Sequence, residues 1–255
     1  MVNAQLSERE RSILLLLASD TSTSVSQMSE SLGVSAATIR NDLNNLSRRG
    51  IIMRTHGGAT PAFHPDVVLR QNLHPKEKES IAKAAAEMVH DGDTIMIEAG
   101  TTTALIAKHL LGKRYINIVS NSTLIIPFAR INPGINLTIV GGTFRPATES
   151  LVGPLAIDEL GQFHVRLAFI GTDGFSLKNG LTTHLLEGAE IVRKMAECSE
   201  KTICVADSSK HGKRGFVHVL PLSSIDILIT DEAIDQASFR EIDEAGIHVL
   251  QVHSK

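Results

Sequence analysis

The chain has 255 residues, of which 42% are hydrophobic and 21% charged, and this composition excludes a disordered chain and predicts one or two globular domains. The longest apolar run near the start, Ile13–Ala18, is too short for a membrane helix, and two cysteines are too few for a disulfide scaffold or a zinc site, so we expect a cytoplasmic protein. The net charge of −3, from 25 basic and 28 acidic residues, argues on its own against a nucleic-acid partner, but a net charge averages over domains.

The basic residues are unevenly distributed. Residues 1–60 contain six arginines and five acidic residues, a local charge of +1, which leaves −4 for the rest of the chain. Between residues 36 and 60, four arginines stand against Asp42 alone. Arginine is the side chain that forks onto a phosphate or a guanine edge. The N-terminal segment is therefore the candidate for nucleic-acid binding.

Two helices are predicted in the first 32 residues. A Ser-x-x-Glu capping box starting at Ser7 predicts a helix that fades near Ser19. A very short strand at Ser24-Val25 is expected next, and Ser26 is expected to cap a second helix over Gln27–Leu32.

A third helix is predicted directly after a tight turn. Gly33 ends the second helix, and Ser35 caps the third one, Ala36–Arg48. Two short helices joined by a turn containing glycine are typical of a helix-turn-helix, whose second helix enters the DNA major groove. The alternative is a plain helical subdomain without DNA-binding function.

The polar face of the third helix carries short or fork-shaped side chains. Small residues allow close approach to DNA, and arginine and asparagine donate to guanine and adenine edges. The expected DNA contacts on this helix are Ser35, Ala36, Ala37, Thr38, Arg40, Asn41, Asn44 and Arg48. A β-prone run followed by Gly57-Gly58 predicts a small hairpin wing, in which Arg54 and His56 lie against the phosphate backbone or the minor groove.

The run Ser35–Leu43, with Arg9 upstream and the wing His56–Ala59, resembles the DeoR-type bacterial transcription regulators. The resemblance implies that this run is the recognition helix. It also implies that Asp42 is a structural residue bonding within the domain and not a DNA contact. These residues make residues 1–60 a predicted winged helix-turn-helix domain.

Prolines mark the next segment. Pro61, Pro65 and Pro75 are expected to interrupt regular secondary structure, because proline disfavours helix in the preceding residue. The valines and leucines between them are too apolar for a free tether. We therefore predict a linker over residues 61–75 that packs partly on a neighbouring domain or subunit, followed by a helix over Lys76–His90.

The remaining chain, residues 76–255, alternates short β-branched runs with helical stretches. Strands that are apolar on both faces and separated by helices predict a mostly parallel α/β sheet. The predicted strands are Thr94–Ile97, Tyr115–Val119, Leu137–Val140, Arg166–Ile170, Thr202–Ala206, Asp226–Thr230 and Ile247–Val252.

Glycines, hydroxyls and a few charges follow five of these strands. Ligands of parallel sheets bind outside the carboxyl ends of the strands, where glycine allows close approach and hydroxyls donate. The expected ligand contacts are Glu98, Gly100, Thr101, Thr102, Ser120, Asn121, Ser122, Gly141, Gly142, Asp173 and Asp207, with Lys210 first and Arg145 second as the countercharge. This chemistry predicts a pocket for a small, hydroxylated and phosphorylated molecule.

The same segments resemble the sensor domain of the DeoR family. The matching motifs are Glu77-Lys78, Ile81-Ala82, Asp91–Ile95, Ala99–Thr102, Ser120–Ser122, Gly141-Gly142 and Asp207–Lys210. The resemblance implies a fold like that of ribose-5-phosphate isomerases and coenzyme A transferases, and a phosphorylated sugar as effector. Glu98 departs from the pattern, where many relatives carry Asp. The segment Gly180–Glu190 resembles the loop and helix start that shape effector choice.

An enzyme is the main alternative, because Glu98, Asp173, Asp207 and Lys210 supply the residue types of an isomerase. An architectural DNA-binding protein would leave the five polar loops unexplained. No P-loop or dinucleotide motif and no metal-ligand spacing occurs, so no cofactor or metal is expected. The favoured hypothesis is that the protein represses a carbohydrate operon and is not an enzyme. Operator half-sites about 10 bp apart would require at least a dimer.

Overall fold

The computed structural model describes residues 6–20, 22–55 and 57–254. The chain forms two units: the first extends to Pro75 and includes Pro146–Thr148, and the second comprises Lys76–Arg145 and the chain from Glu149 onward. No helix in the described ranges combines the length and the apolar content that a bilayer span requires.

The first unit begins with three helices, α1 (Glu8–Ser19), α2 (Val25–Leu32) and α3 (Ala36–Arg48). The predicted capping box is present on α1: the Glu10 backbone N–H donates to Ser7 Oγ at 3.1 Å, and the Ser7 N–H donates to Glu10 Oε2 at 2.8 Å. The bounds of α3 are those predicted. The helices bury a common apolar core that includes Ile13, Leu14, Leu17, Met28, Ile39, Leu43 and Leu46.

The start of α2 differs from the prediction. The expected strand at Ser24-Val25 is wrong, and so is the cap at Ser26, because α2 begins at Val25 with Ser24 as its N-cap. The reason is a second capping box: the Gln27 N–H donates to Ser24 Oγ at 3.3 Å, and Gln27 Oε1 accepts from the Ser24 N–H at 2.7 Å. Gly33 ends the helix as predicted, with a φ of 64°.

The predicted wing is present as an antiparallel hairpin of β1 (Ile52–Thr55) and β2 (Gly58–Pro61). It is attached to α2 by a hydrogen bond from the Val25 N–H to the Gly57 carbonyl at 3.1 Å. Ile52 and Ala59 point into the core of the first unit. The helices and the hairpin therefore share one core.

The segment 61–75 contains a helix, which corrects the expectation that its prolines interrupt regular structure. Helix α4 (Pro65–Asn72) has proline at its first position, where the missing N–H costs nothing, and is followed by α5 (Pro75–Glu87). The ring of His64 caps α4 by accepting from the Asp66 N–H at 3.3 Å. Val67 and Val68 are buried, so this segment packs within the first unit. The proposed domain boundaries remain a prediction.

The second unit is a seven-stranded sheet with helices and smaller sheets. Its elements in chain order are β3 (Thr94–Ile97), α6 (Thr103–His109), β4 (Ile116–Ser120), α7 (Ile126–Ile131), β5 (Ile135–Ile139), β6 (Thr143–Arg145), β7 (Ser150–Val152), α8 (Pro154–Leu160), β8 (Val165–Ile170), β9 (Gly174–Ser176), β10 (Gly180–Thr183), α9 (Leu186–Glu197), β11 (Ser199–Val205), β12 (Val217–Leu220), β13 (Ile227–Asp231), α10 (Gln236–Glu244) and β14 (His248–Val252).

All seven predicted strands form the main sheet, in the order β14-β13-β11-β8-β3-β4-β5, with every neighbouring pair parallel. The prediction of a mostly parallel α/β sheet is confirmed. Side chains of α5 and α6 pack on one face of this sheet, and those of α8, α9 and α10 pack on the other. The carboxyl ends of the strands therefore share one edge, as a ligand site of this fold requires.

Two smaller sheets were not predicted. Strands β6 and β7 form a hairpin after β5, and β9, β10 and β12 form an antiparallel sheet in the order β12-β10-β9. The sequence analysis treated Gly141–Thr143 and Gly171–Gly174 as loops at strand ends. Gly141-Gly142 and Gly171–Asp173 are loops as predicted, but Thr143 and Gly174 are not, because they begin the three-residue strands β6 and β9.

An ion pair joins the start of β3 to β8. The Asp93 carboxylate accepts from Arg166 Nε at 2.8 Å and from the His90 N–H at 2.6 Å. Burial of Asp93 raises its pKa, but the hydrogen bonds from Arg166 and His90 outweigh that effect, so the pKa lies below its ordinary value. The charged carboxylate therefore stabilises the folded second unit.

We expect Asp93→Asn to lower the melting temperature at neutral pH, because the amide cannot replace the charge facing Arg166. Since the pKa of Asp93 is lowered on folding, its contribution is full above the unfolded value of ~3.9 and is lost as the pH falls through the folded value. Thermal unfolding by circular dichroism from pH 7 to pH 3 should show the two melting curves converging. The exposed neighbour Asp91→Asn is the control, and a difference for Asp93→Asn that is constant with pH would contradict the assignment.

Candidate functional site

Helix α3 presents a polar face to solvent and an apolar face to the core. Of the expected DNA contacts, Ser35, Ala37, Arg40, Asn41, Asn44, Arg48 and Arg54 are exposed, Ala36 and Thr38 are half-buried, and His56 lies outside the described residues. Ser35 caps the helix by accepting from the Thr38 N–H at 3.1 Å. The cap fixes the first turn of α3 with Ala37 exposed, whereas Ala36 packs partly against the core of the first unit.

Asp42 points away from this polar face. It is buried, and its two carboxylate oxygens accept from Arg9 Nε at 2.6 Å and from Arg9 Nη2 at 3.1 Å. This two-pronged pair joins α1 to α3. The structural role expected for Asp42 is confirmed.

The arginines near α3 differ in how far they are engaged. Arg49 pairs with Glu10 at 3.0 Å, and Arg48 Nη2 donates to Asn45 Oδ1 at 2.5 Å. The side chains of Arg40 and Arg54 have no hydrogen bond or ion pair within the described ranges. These two guanidinium groups therefore stay available for phosphate oxygens and base edges.

The expected ligand contacts lie at the carboxyl edge of the main sheet. Thr102, Ser120, Asn121, Ser122 and Asp207 are buried, Glu98, Gly100, Thr101, Gly141, Asp173 and Lys210 are half-buried, and Gly142 and Arg145 are exposed. Ser120 is the last residue of β4, and the others belong to loops that follow β3, β4, β5, β8 and β11 or to the hairpin after β5. The parallel sheet brings these loops to one edge.

Two of the expected contacts link the loops to one another. Asn121 Oδ1 accepts from the Ala99 N–H at 2.9 Å, and Asn121 Nδ2 donates to the Leu151 carbonyl at 3.2 Å. Glu98 Oε2 accepts from the Gly171 N–H at 3.1 Å. These side chains hold the loops after β3, β4 and β8 in position, so much of their hydrogen-bonding capacity is directed to the protein.

Other expected contacts are also engaged by the protein. The Asp173 carboxylate accepts from Thr183 Oγ1 at 2.9 Å and from the His184 N–H at 3.0 Å. Arg145 forms an ion pair with Glu187 at the start of α9. Arg145 was the second choice as countercharge, and a ligand would have to compete with Glu187 for it.

Ser122 and Lys210 are among the polar side chains at this edge that have no partner in the described residues. The Ser122 hydroxyl is fully buried and makes no hydrogen bond, and the half-buried Lys210 ammonium has neither a hydrogen bond nor an ion pair in the described part of the chain. A buried polar group without a partner is costly, and such groups are typical of binding sites whose ligand supplies the partner. A hydroxyl donor and an ammonium suit an anionic, oxygen-rich ligand.

Two acidic residues at this edge were not predicted. Glu159 Oε2 accepts from the Gly141 N–H at 2.6 Å, and Asp231 Oδ1 accepts from the Ser208 N–H at 2.6 Å. Asp231 ends β13, so extending the search from five strand ends to six would have found it. Glu159 lies on α8, and nothing in its sequence context indicates a role. Among the described residues, no group of three or more metal-ligating side chains occurs.

The chain matches two family models, the DeoR-like helix-turn-helix domain over residues 9–62 and the DeoR C terminal sensor domain over residues 73–232. The putative aga operon transcriptional repressor of Escherichia coli O157:H7 is 33% identical over 252 residues, which cover 96% of this chain and 94% of that protein. The HTH-type transcriptional regulator GlpR of Haloferax volcanii is 38% identical over 250 residues, or 95% and 96% of the two chains.

A solved structure is also similar to part of this chain. Ribose 5-phosphate isomerase A from Methanocaldococcus jannaschii is 19% identical, with a TM-score of 0.38, over 52% of this chain and 53% of the isomerase.

Proposed function

Because this chain belongs to the DeoR family of transcriptional regulators, we propose that it represses a carbohydrate-utilisation operon under the control of a phosphorylated sugar or sugar alcohol. Residues 1–60 would bind operator DNA, and residues 76–255 would bind the effector. Residues 61–75 would connect these two domains. The observation that carries the effector proposal is the pair of unpartnered groups, Ser122 Oγ and the Lys210 ammonium, at the carboxyl edge of the sheet.

The DNA-binding proposal places α3 in the major groove. Arg40, Asn41 and Asn44 are exposed on one helix and carry the donors and acceptors that read guanine and adenine edges. Ser35, Ala36, Ala37 and Thr38 would allow close approach, and Arg48, Arg54 and His56 would contact the backbone. In this arrangement the net charge of −3 is no obstacle, because two free arginines lie where the DNA is contacted.

In the effector proposal, Lys210 would bind the phosphate group, and the hydroxyl-bearing loops would bind the sugar. Thr101, Thr102 and Ser122 would supply hydroxyl groups beside Gly100, Gly141 and Gly142. The Ser120 hydroxyl is taken by the protein, because it donates to the Ile97 carbonyl at 2.5 Å and accepts from the Ser122 N–H at 3.1 Å. Ser120 would therefore shape the loops, together with Glu98, Asn121, Asp173 and Asp207. An effector shifts DNA affinity only through different affinities for the DNA-competent and DNA-incompetent states, and the coupling is reciprocal.

Regulation rather than catalysis is supported by the relatives and by the site. The named relatives with full-length matches are transcriptional regulators. The three carboxylates that an isomerase could use as a base are all engaged by the protein: Glu98 and Asp173 accept from backbone N–H groups, and Asp207 accepts from the Ser209 hydroxyl. We further propose that the protein acts in the cytoplasm as a homo-oligomer, a dimer or a tetramer, because repeated operator half-sites need more than one reading head.

We expect Lys210→Ala to leave DNA affinity unchanged and to raise the effector concentration needed for half-maximal release by about ten- to a hundredfold, the value of a hydrogen bond to a charged group. The measurement is fluorescence anisotropy of a DNA fragment from upstream of the gene, at fixed salt, titrated with ribose 5-phosphate, fructose 6-phosphate and further sugar phosphates. Lys213→Ala, an exposed lysine on the same loop, is the control.

Two outcomes would contradict the proposal. If no sugar phosphate changes the DNA affinity of the wild type, the effector class is wrong. If a phosphate ester binds and is also converted to a product, the enzyme alternative is favoured over the repressor proposal. An unchanged dose curve for Lys210→Ala would remove only Lys210 from the site.

A further inference from the structure

We propose that Asp231 is a positioning residue that holds the backbone of the Lys210 turn so that the ammonium meets the anion. This inference rests on the proposed function, because it assumes an anion beside Lys210. Asp231 ends β13 and does not need to touch the ligand to act.

The Asp231 residue is 1% exposed, and both carboxylate oxygens accept hydrogen bonds from the protein. Its Oδ1 accepts from the Ser208 N–H at 2.6 Å, and its Oδ2 accepts from Ser208 Oγ at 2.8 Å and from the Ala233 N–H at 3.1 Å. Three donors satisfy the buried charge. Two of the three come from Ser208, so the carboxylate grips that residue by both its backbone and its side chain.

Ser208 is the first residue of a single short turn, Ser208–Lys210. The Lys210 N–H donates to the Asp207 carbonyl at 3.0 Å, which closes the turn. Two residues further on, the Gly212 N–H donates to the Phe175 carbonyl at 3.0 Å. The segment carrying Lys210 is therefore fixed at its start by Asp231 and at its end by β9.

This fixation matters because no described residue bonds the Lys210 side chain itself. A lysine ammonium is a point charge on a flexible stem, and ordering it on binding costs entropy. Because the backbone of this turn is already held, less conformational entropy is lost when an anion binds. Asp231 thus adds to anion affinity through Lys210 alone.

The test is a double-mutant cycle with inorganic phosphate as the probe, read by isothermal titration calorimetry on the full chain. Lys210→Ala and Asp231→Asn should each weaken phosphate binding by about tenfold, and the double variant should be no weaker than Lys210→Ala alone. Ser208→Ala removes only the hydroxyl bond and should show a smaller loss in the same direction. It also keeps the test available if Asp231→Asn folds poorly.

Hydrogen exchange supplies a readout that needs no ligand. In Asp231→Asn, the amides of residues 208–212 should exchange about tenfold faster than in the wild type. Asp226→Asn is the control, because Asp226 accepts from the Thr202 N–H at 2.8 Å at the other end of the same strand. Asp226→Asn should leave the exchange rates of residues 208–212 and the affinity for phosphate unchanged.

The outcomes separate the two proposals. If the wild type binds no phosphate at tens of millimolar, the anion site of the proposed function is wrong, and the role of Asp231 fails with it. If the wild type binds phosphate but the two losses add in the double variant, Asp231 acts independently of Lys210 and the inference is overturned. Equal effects of Asp226→Asn and Asp231→Asn would likewise overturn it.

Discussion

Arg40→Ala is expected to lower the affinity for operator DNA by about 1–3 kcal/mol, because Arg40 is exposed on the polar face of α3 and has no partner in the described structure. A guanidinium that reads a base edge contributes to specificity, so the loss should be larger on the operator than on unrelated DNA. Competition binding at one fixed salt concentration, with operator and scrambled fragments, measures both losses.

Arg54→Ala is the matched comparison, because Arg54 is also exposed, lies on the wing and has no side-chain partner among the described residues. A phosphate contact should weaken operator and scrambled DNA equally and reduce the slope of log affinity against log salt by about one. Arg49→Ala should affect the stability of the first unit and not its specificity, since Arg49 pairs with Glu10. If wild type and Arg40→Ala bind the operator equally, α3 does not read bases through Arg40.

The DNA-binding half was predictable because its signals are local. The cap at Ser35 and the stop at Gly33 lie within a few residues of the helices they delimit, so α3 was placed to the residue. The start of α2 was missed because Ser24 and Ser26 are both acceptable caps. Gln27 decides between them by completing a capping box with Ser24.

The main sheet was predictable because its strands are buried on both faces and read as continuous apolar runs. The small sheets were not, because strands of three or four residues carry no periodic signal. They depend on contacts with distant chain: a Cβ on Gly174 would lie 2.3 Å from the Lys213 carbonyl oxygen, and one on Gly215 would lie 2.5 Å from that of Thr183. Such contacts between distant parts of the chain cannot be predicted before the fold is known.

Sequence reasoning placed the right loops at the candidate site but could not show which side chains the protein itself uses. Glu98 is bonded to Gly171, 73 residues away, and Arg145 is paired with Glu187, 42 residues away. Only such distant partners distinguish loop-holding residues from free donors such as Ser122 and Lys210. Only the structure therefore shows which of the expected ligand contacts are free to bind a ligand.

Gly142→Ala is expected to be among the most damaging single changes at the candidate site. Gly142 has a φ of +133°, and an added Cβ would lie 2.6 Å from the Val152 carbonyl oxygen and 3.2 Å from Ala156 Cβ. The strained backbone alone costs about 1–3 kcal/mol, and the contact with main-chain oxygen forces β6 and β7 apart in addition. Since Arg145 lies in β6 and Asn121 donates to Leu151 in β7, the effector response should fail together with stability.

Gly153→Ala supplies the control, because Gly153 directly follows β7 at the same open end of the hairpin, with a φ of +94° and no atom closer than 4.0 Å to an added Cβ. It should show the backbone strain without the steric contact. Urea unfolding should therefore place Gly142→Ala below Gly153→Ala in free energy of unfolding by at least about 1 kcal/mol, with operator affinity retained by both at low urea. Equal losses would mean that the hairpin yields to the added methyl, and that the Gly142 contact with Val152 does not hold the site in shape.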